Sequence, residues 1–515
     1  MRKLVVSFAV LVVAAASAVL IFLYAAGPQL RDATRRRVEA YFEANFHSTV
    51  KLGDFHASMF PRLRVTVDGV VLHHEGRTDV PPLIQIRHIT LEAGLFEVLR
   101  RHPFISSVRL DGLQIQIPPH QPGQQPIFHG THEDLAGKYP VTIGEVTTDD
   151  AVLAILPRDP AKAPREFLLH HLELHSVGLD GPARFHAILM NPVPKGEIDS
   201  SGTFGPWDAD DPSVTPVDGS YKFENADLGT LKGLSGTLSS TGKFSGPLNY
   251  LSVEGETNTP NFSLRTSRHP MLLHTDFSAI VDGTNGNTIL KSVVAKFLHS
   301  TLNVNGEVVD KTKLKGRTIL LNAVATQARV EDLLRLAVES DPPAMTGPVR
   351  LRAKIDIGEG DEDLIERLRL EGQFDTGEAH FTNPQAEQKL AKLSLKGQGK
   401  PNESLDGDPV SELSGKFRVV KGLVTFSHLS FTVTGASIAL AGNYNLDRGE
   451  LDFRGKLRMD AKLSQTTTGV KSFFLKALDP FFNGKAGGTE LPIKIAGTRD
   501  KPQFGLDLHD KLNRN

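Results

Sequence analysis

The chain contains no cysteine, a single tryptophan and few aromatic residues of any kind, 7% of 515 positions. Without cysteine there are no disulfides, no thiol nucleophile, no zinc ribbon and no iron–sulfur cluster. Charge of one sign is also lacking. Lys+Arg number 58 against 60 Asp+Glu, a formal net charge of −2, which argues against a nucleic-acid binder working by bulk basicity. Apolar residues make up 39% and charged residues 23%. That is too apolar for a disordered chain, yet light for dense globular cores. The 46 glycines and 31 prolines suit a chain with many turns.

One long apolar run is present. Leu4 to Ala26 carries no charge and is closed by Gly27-Pro28. As a helix of about 23 residues it would span about 34 Å, enough for a hydrocarbon core. Arg2, Lys3 and Ala16-Ser17-Ala18 resemble a cleavable leader, but Val19-Leu20-Ile21-Phe22-Leu23 extends the run past that point, so an uncleaved anchor is expected. Arg31 and Arg35-Arg36-Arg37 follow the span, so the positive-inside count does not favour an exported body. Leu30 to Phe46 reads as an amphipathic helix, either a basic collar on anionic headgroups or a solvated helix on the first strands.

From Val50 onward the dominant signal has period two. Leu451, Phe453, Leu457, Met459, Ala461 and Leu463 alternate with Asp452, Arg454, Lys456, Arg458, Asp460 and Lys462. This predicts a strand wet on one side only. Asp447-Arg448-Gly449 is a turn signal, and Ile438, Leu440, Tyr444 and Leu446 share a phase before it, so a long antiparallel hairpin is expected. The alternation recurs at Leu113, Ile115 and Ile117, at Leu302 and Val304, at Leu368 and Leu370, and at Leu429, Phe431 and Val433. Gly255, Gly283, Gly306, Gly372, Gly415 and Gly442 are read as strand junctions. Short helices are expected at Leu95–Arg101, around Val330, Leu333, Leu334 and Ala337, and over Val470–Phe482, where Val470, Phe473, Phe474, Phe481 and Phe482 form an amphipathic terminal face. Pro118–Pro140 and Met190–Pro216 read as loops.

Such runs number on the order of 25 strands. One continuous sheet of them would extend roughly 120 Å, and its apolar face could not be left in water. Periodicity alone leaves two solutions open, a series of β-sandwich domains or a sheet curled into a groove.

Motifs of chemistry are sparse. Among 19 histidines, His73-His74, His129 with His132, and His170-His171 with His175 cluster in sequence. Neighbours on a strand point to opposite faces, and His171 and His175 would lie about 13 Å apart, so no metal site is expected. Gly236 to Lys243 fails the phosphate-loop spacing, and no G-x-S-x-G or H-E-x-x-H occurs. Asp149-Asp150 and Asp361-Glu362-Asp363 read as solvated turn charges. No catalytic residue and no cofactor is assigned.

The order of short motifs resembles the AsmA family of envelope proteins. In the N-terminal part these are Val50-Lys51-Leu52-Gly53-Asp54, Phe60-Pro61-Arg62-Leu63, Val67-Asp68-Gly69-Val70, Pro82-Leu83-Ile84-Gln85-Ile86 and Leu110-Asp111-Gly112-Leu113. In the C-terminal half they are Gly372-Gln373-Phe374, His380-Phe381-Thr382-Asn383-Pro384, Leu440-Ala441-Gly442-Asn443-Tyr444, Asp479-Pro480-Phe481-Phe482 and Leu491-Pro492-Ile493-Lys494-Ile495-Ala496-Gly497-Thr498.

The resemblance implies a mainly β fold: an N-terminal transmembrane helix, then an elongated, twisted antiparallel sheet curled into an apolar groove, with a few short helices. The expected division is an anchor at 1–28, a chorein-like segment at 29–120, a middle β region at 121–260 and an AsmA-like C-terminal β-groove region at 261–510. It further implies a non-enzymatic protein of the inner (plasma) membrane, single-pass, with its bulk in the periplasm. Its implied partners are phospholipid, the inner membrane, and the outer membrane or its assembly machinery, with no nucleic acid. The function implied is lipid transport for outer-membrane biogenesis; the alternative is a scaffold for targeting and assembling outer-membrane proteins. Candidate groove residues are Leu113, Ile115, Ile117, Leu302, Val304, Leu429, Phe431, Val433, Leu451, Phe453 and Leu457.

Overall fold

Alternation of apolar and polar residues converts into strands throughout. The computed structural model describes residues 48–58, 62–74, 81–94, 97, 104–117, 142–156, 164–178, 181–206, 211–311, 316–360, 362–403, 411–466, 488–499 and 501–507. They hold 27 strands and a few short helices, so the fold is mainly β. The Leu4–Ala26 span, the Leu30–Phe46 helix, all of Leu95–Arg101 except Glu97, the Pro118–Pro140 loop and the Val470–Phe482 helix lie outside the described residues. Among the described residues no helix is long and apolar enough to cross a membrane, a statement that does not bear on β-barrels. The chain divides into two compact units: Met1–Thr230, Leu238–Glu256 and Ser278–Thr288 form the first, and Leu231–Thr237, Thr257–Phe277 and Ile289–Asn515 the second.

The first unit begins with β1 (Ser48–Leu52), β2 (Phe55–Ser58), β3 (Leu63–His74), β4 (Ile84–Ala93), β5 (Phe104–Asp111), β6 (Gln114–Ile117) and β7 (Thr142–Ile155). It continues with β8 (Arg165–Val177), β9 (Ala183–Pro192), β10 (Lys195–Phe204) and β11 (Pro216–Asp227). β1 and β2 both pair with β3, which pairs with β4. In β3, Gly69 adopts a positive φ of 77° and is skipped in the register, so Asp68 faces His88 and Val70 faces Ile86. Arg87 of β4 is passed over at the same place, so the register is unshifted and both strands change phase together, with Val67 and Val70 on β3 and Ile86 and Ile89 on β4 all turned inward. The core of this unit is dense, with Val65, Ile84, Ile86, Val108, Leu110, Leu113, Ile143 and Val146 all at 2% exposure or less. Burial of each such aliphatic contributes about 1.5–3 kcal/mol.

Two expectations fail in this unit. The sheet is not wholly antiparallel: β5 and β6 run in line along β7, and both pair with it in parallel, Val108 opposite Val146 and Ile115 opposite Leu153. A parallel pair needs a long crossover, and residues 118–141 supply the length. Much of the Met190–Pro216 stretch is strand and not loop. β9 and β10 form a hairpin in which Ile198 opposes Leu189 and Gly202 opposes Phe185. Polar residues on the exposed side of β10 (Glu197, Asp199, Ser201) disguise an ordinary one-sided strand.

β12 (Leu234–Ser235), β13 (Thr237–Pro247), β14 (Leu251–Leu264), β15 (Met271–Val281) and β16 (Thr288–Phe297) follow. Gly236–Lys243 thus leads into a strand, not the helix a phosphate loop requires.

The second unit is dominated by β17 (Ser300–Val309), β18 (Thr318–Arg329), β19 (Met345–Thr346), β20 (Pro348–Ile357), β21 (Leu368–Phe381) and β22 (Ser411–Val420). β23 (Leu423–Val433), β24 (Ala436–Asn445), β25 (Glu450–Met459), β26 (Thr489–Thr498) and β27 (Lys501–Leu506) complete it. β17, β18 and β20 to β27 pair antiparallel in that order. The β24–β25 hairpin forms as expected, closed by Asn445 Oδ1 accepting the N–H groups of Asp447 and Arg448 and by Gly449 at φ 67°.

Among the described residues three α-helices interrupt these strands, α1 (Val330–Ala337), α2 (Leu364–Arg367) and α3 (Pro384–Gly397), and a 3-10 turn follows at Leu463–Thr466. α1 lies where its helical spacing predicts. Its Asp332, buried, accepts from the His299 N–H and the Ser300 hydroxyl at 2.9 and 2.7 Å. Asp363, read as a solvated turn charge, instead caps α2 through the Ile365 N–H at 3.0 Å and pairs with Arg265 at 3.2 Å. α3 escapes the sequence reading. It starts at Pro384, Asn383 Oδ1 accepts the Ala386 N–H at 3.3 Å, and Leu390 and Leu393 pack on the sheet.

Candidate functional site

In β18, β21 and β23 the inward phase changes partway along the strand. Ala323 and Ala325 face in, then Ala328; Phe374 and Thr376, then Ala379; Val424 and Phe426, then Leu429, Phe431 and Val433. At each change the register shifts and two consecutive residues are exposed: Thr326-Gln327, Gly377-Glu378 and Ser427-His428. These bulges hold the apolar side chains on one face over the full strand length.

The result is a set of cross-strand rows. Directly paired residues share a face. One row therefore runs Val304, Ala323, Ala353, Gly372, Phe417, Phe426, Gly442, Phe453, Ile495. The next runs Ala325, Leu351, Phe374, Gly415, Leu429, Leu440, Gly455, Ile493. A third runs Val349, Thr376, Leu413, Phe431, Ile438, Leu457, Leu491. At about 4.8 Å per strand, the first row covers roughly 38 Å.

Glycine in these rows is not junctional. Gly372, Gly415 and Gly442 lie inside strands, opposite phenylalanine or beside it. A Cβ on Gly372 would meet the Phe417 ring at 2.6 Å, one on Gly415 the Phe374 ring at 2.9 Å, and one on Gly442 the Phe453 ring at 2.9 Å. The rings lie across bare backbone and touch one another, with centroids 6.2 Å apart for Phe374–Phe417 and Phe417–Phe426 and 5.7 Å for Phe426–Phe453.

Of the candidate groove residues, Leu302, Val304, Leu429, Phe431, Val433, Leu451, Phe453 and Leu457 fall on this one face. Leu302, Val304, Leu429, Leu451 and Leu457 are half-buried, whereas Phe431 and Phe453 retain 8% and 6% exposure. Leu333 and Leu334 of α1 and Leu390 and Leu393 of α3 cover one end of the face, around Val349, Phe431, Val433 and Met459. Leu113, Ile115 and Ile117 belong elsewhere. Leu113 and Ile115 are closed inside the first unit's core at 2% and 8% exposure, with Ile117 packed against it. Their alternation reports a core strand and not an open lining, because period two marks which face is dry and not whether anything covers it. Val470, Phe473, Phe474, Phe481 and Phe482 lie outside the described residues.

The opposite face is polar with the same regularity. The row Asn305, Asn322, Lys354, Glu371, Arg418, Thr425, Asn443, Asp452 lies one residue out of phase with the apolar rows. Arg418 pairs with Glu371, and a cleft of about 1030 Å³ opens among Asn305, Asn322, Lys354, Glu371 and Arg418. At the far strands, Glu490 accepts from Lys456 at 2.6 Å and Arg458 at 2.9 Å, and these two cations hold its carboxyl below the usual range. The arrangement offers no nucleophile–base pair. What it offers is a broad apolar surface backed by a charged one.

The chain matches no family model, no curated protein and no solved structure.

Proposed function

We propose that this is a non-enzymatic, membrane-anchored lipid carrier or conduit of the AsmA kind, its body in the periplasm, moving phospholipid from the inner membrane in the service of outer-membrane biogenesis. One observation carries the reading: an apolar face crossing nine strands of the second unit, with several leucines only partly buried and, among the described residues, helices packed over one end. Surfaces of that extent are rarely left to water in soluble proteins. An acyl chain of about 14 methylenes costs roughly 11 kcal/mol to hydrate, at about 0.8 kcal/mol per CH₂. Laid along the rows, it trades water for leucine and phenylalanine, and no bond is broken. The charged groups stand on the reverse of the sheet, so headgroups would sit at the strand ends, in solvent.

The experiment is lipid extraction from the purified full chain, with Leu451→Asp and Leu457→Asp introduced together. Phe431 and Phe453 are poor choices, because a charge at those buried positions would unfold the unit. Bound phospholipid should fall several-fold in the double variant while circular dichroism stays unchanged, and Arg454→Glu on the reverse face should bind as the parent does. A parent chain that carries no lipid would end the reading and leave a dry assembly scaffold in its place.

A further inference from the structure

A second chemistry lies on β7 to β10 of the first unit, independent of the apolar face. His171, Glu173 and His175 occupy alternate positions of β8 and so share one side. Register places Glu145 of β7 opposite His175, Asp149 opposite His171, and His186 of β9 opposite Glu173. Ligand atoms of His171, Glu173 and His186 all lie within 4.8 Å of one another, as do those of Glu145, Glu173 and His175. Glu173 belongs to both sets.

The surrounding contacts are those of oriented imidazoles. Asp149 Oδ1 stands 2.7 Å from His171 Nδ1, an orientation that turns Nε2 towards Glu173. His171 Nε2 in turn lies 3.8 Å from a Glu173 oxygen. Asp199 of β10 does the same for His186, 2.9 Å from Nε2. Asp149 is itself held by Arg109 at 3.2 Å. Carboxylate-backed histidines of this kind raise ligand basicity and fix the tautomer. Asp149-Asp150 is thus not a solvated turn but part of β7.

We propose that His171, Glu173 and His186 bind one divalent transition-metal ion of the zinc class, with Asp149 and Asp199 as positioning residues and His175 and Glu145 adjoining it. Two imidazoles and one carboxylate suit zinc, nickel or copper and disfavour calcium and magnesium, which take oxygen ligands. Bonds of about 2.1 Å to a tetrahedral ion put ligand atoms about 3.4 Å apart, so side-chain rotation of about 1 Å closes the set. Three ligands leave a fourth position for water. The sequence reading missed the site because it measured along β8 alone; the third ligand arrives from the neighbouring strand.

The test is equilibrium dialysis of the chelator-treated full chain against Zn²⁺, with metal read by mass spectrometry, and a Co²⁺ absorption spectrum on the same chain. About one Zn²⁺ per chain should bind at micromolar free metal, and Ca²⁺ and Mg²⁺ should not compete. His171→Ala with His186→Ala should weaken binding at least 100-fold, and Asp149→Asn 10–100-fold. If the double variant misfolds by circular dichroism, the isosteric Glu173→Gln serves instead and should alter the cobalt bands. No binding by the parent at millimolar Zn²⁺, or undiminished binding and unaltered bands in these variants, overturns the proposal. Lipid extraction from the same zinc-site variants should be unchanged, which separates this site from the apolar face.

Discussion

The β3–β7 region of the first unit and the β17–β26 region of the second are built from the same period-two strands, yet they end in different surfaces. In the former, branched aliphatics such as Ile84, Ile86, Leu110 and Ile143 interdigitate until almost no area is left. In the latter, Gly372, Gly415 and Gly442 stand opposite Phe417, Phe374 and Phe453, so a ring on one strand fills the space its neighbour leaves. Leu302, Leu429, Leu451 and Leu457 on this face stay only partly buried. Equal patterning gives a sealed core or a partly open face according to how completely interlocking side chains fill the layer.

The strongest way to break that comparison is Leu113→Ala. In a sealed core it should cost about 2–5 kcal/mol in denaturant melts. A loss under 1 kcal/mol would mean the first unit is as open as the second. Next is Gly372→Ala, whose methyl would strike the Phe417 ring. About 1–3 kcal/mol should be lost, and part of it recovered when Phe417→Leu is added. Leu457→Ala, at a partly buried position packed against the cluster of Phe431 and Met459, should cost about 1–2 kcal/mol, less than Leu113→Ala.

The smallest effect is electrostatic. Glu490 titrates below its unfolded value of 4.5, so it adds stability above that pH and loses it as pH falls through the lower native value. Melts of the parent and Glu490→Gln should differ by about a few tenths of a kcal/mol at pH 7, and the difference should shrink as pH falls through the lowered native value.

How much could be read in advance follows from how local each feature is. The β24–β25 hairpin was legible, because charges occupy the outward positions of β25 and Asp447-Arg448-Gly449 signals the turn, although the strand ends at Met459 and Leu463 opens a 3-10 turn in place of extending it. α1 was legible from Val330, Leu333 and Leu334. β10 was not, since serine and glycine can line either a strand or a loop. α3 was not, because only Leu390 and Leu393 mark its buried side. Parallel pairing of β5 with β7 and the meeting of His171 with His186 depend on which strands become neighbours, and no local pattern carries that. Leu302, Leu429 and Leu451 lie on one face of the strands; that Leu113 and Ile115 belong to a closed interior required knowing what stands opposite them.

Phenylalanine lying over glycine has one more consequence. Neighbouring rings stand tilted by 45–51° to one another, so the paving they make is ridged and not smooth. A flexible hydrocarbon resting there would be gripped by area, and the ridges would set where along the rows it comes to rest.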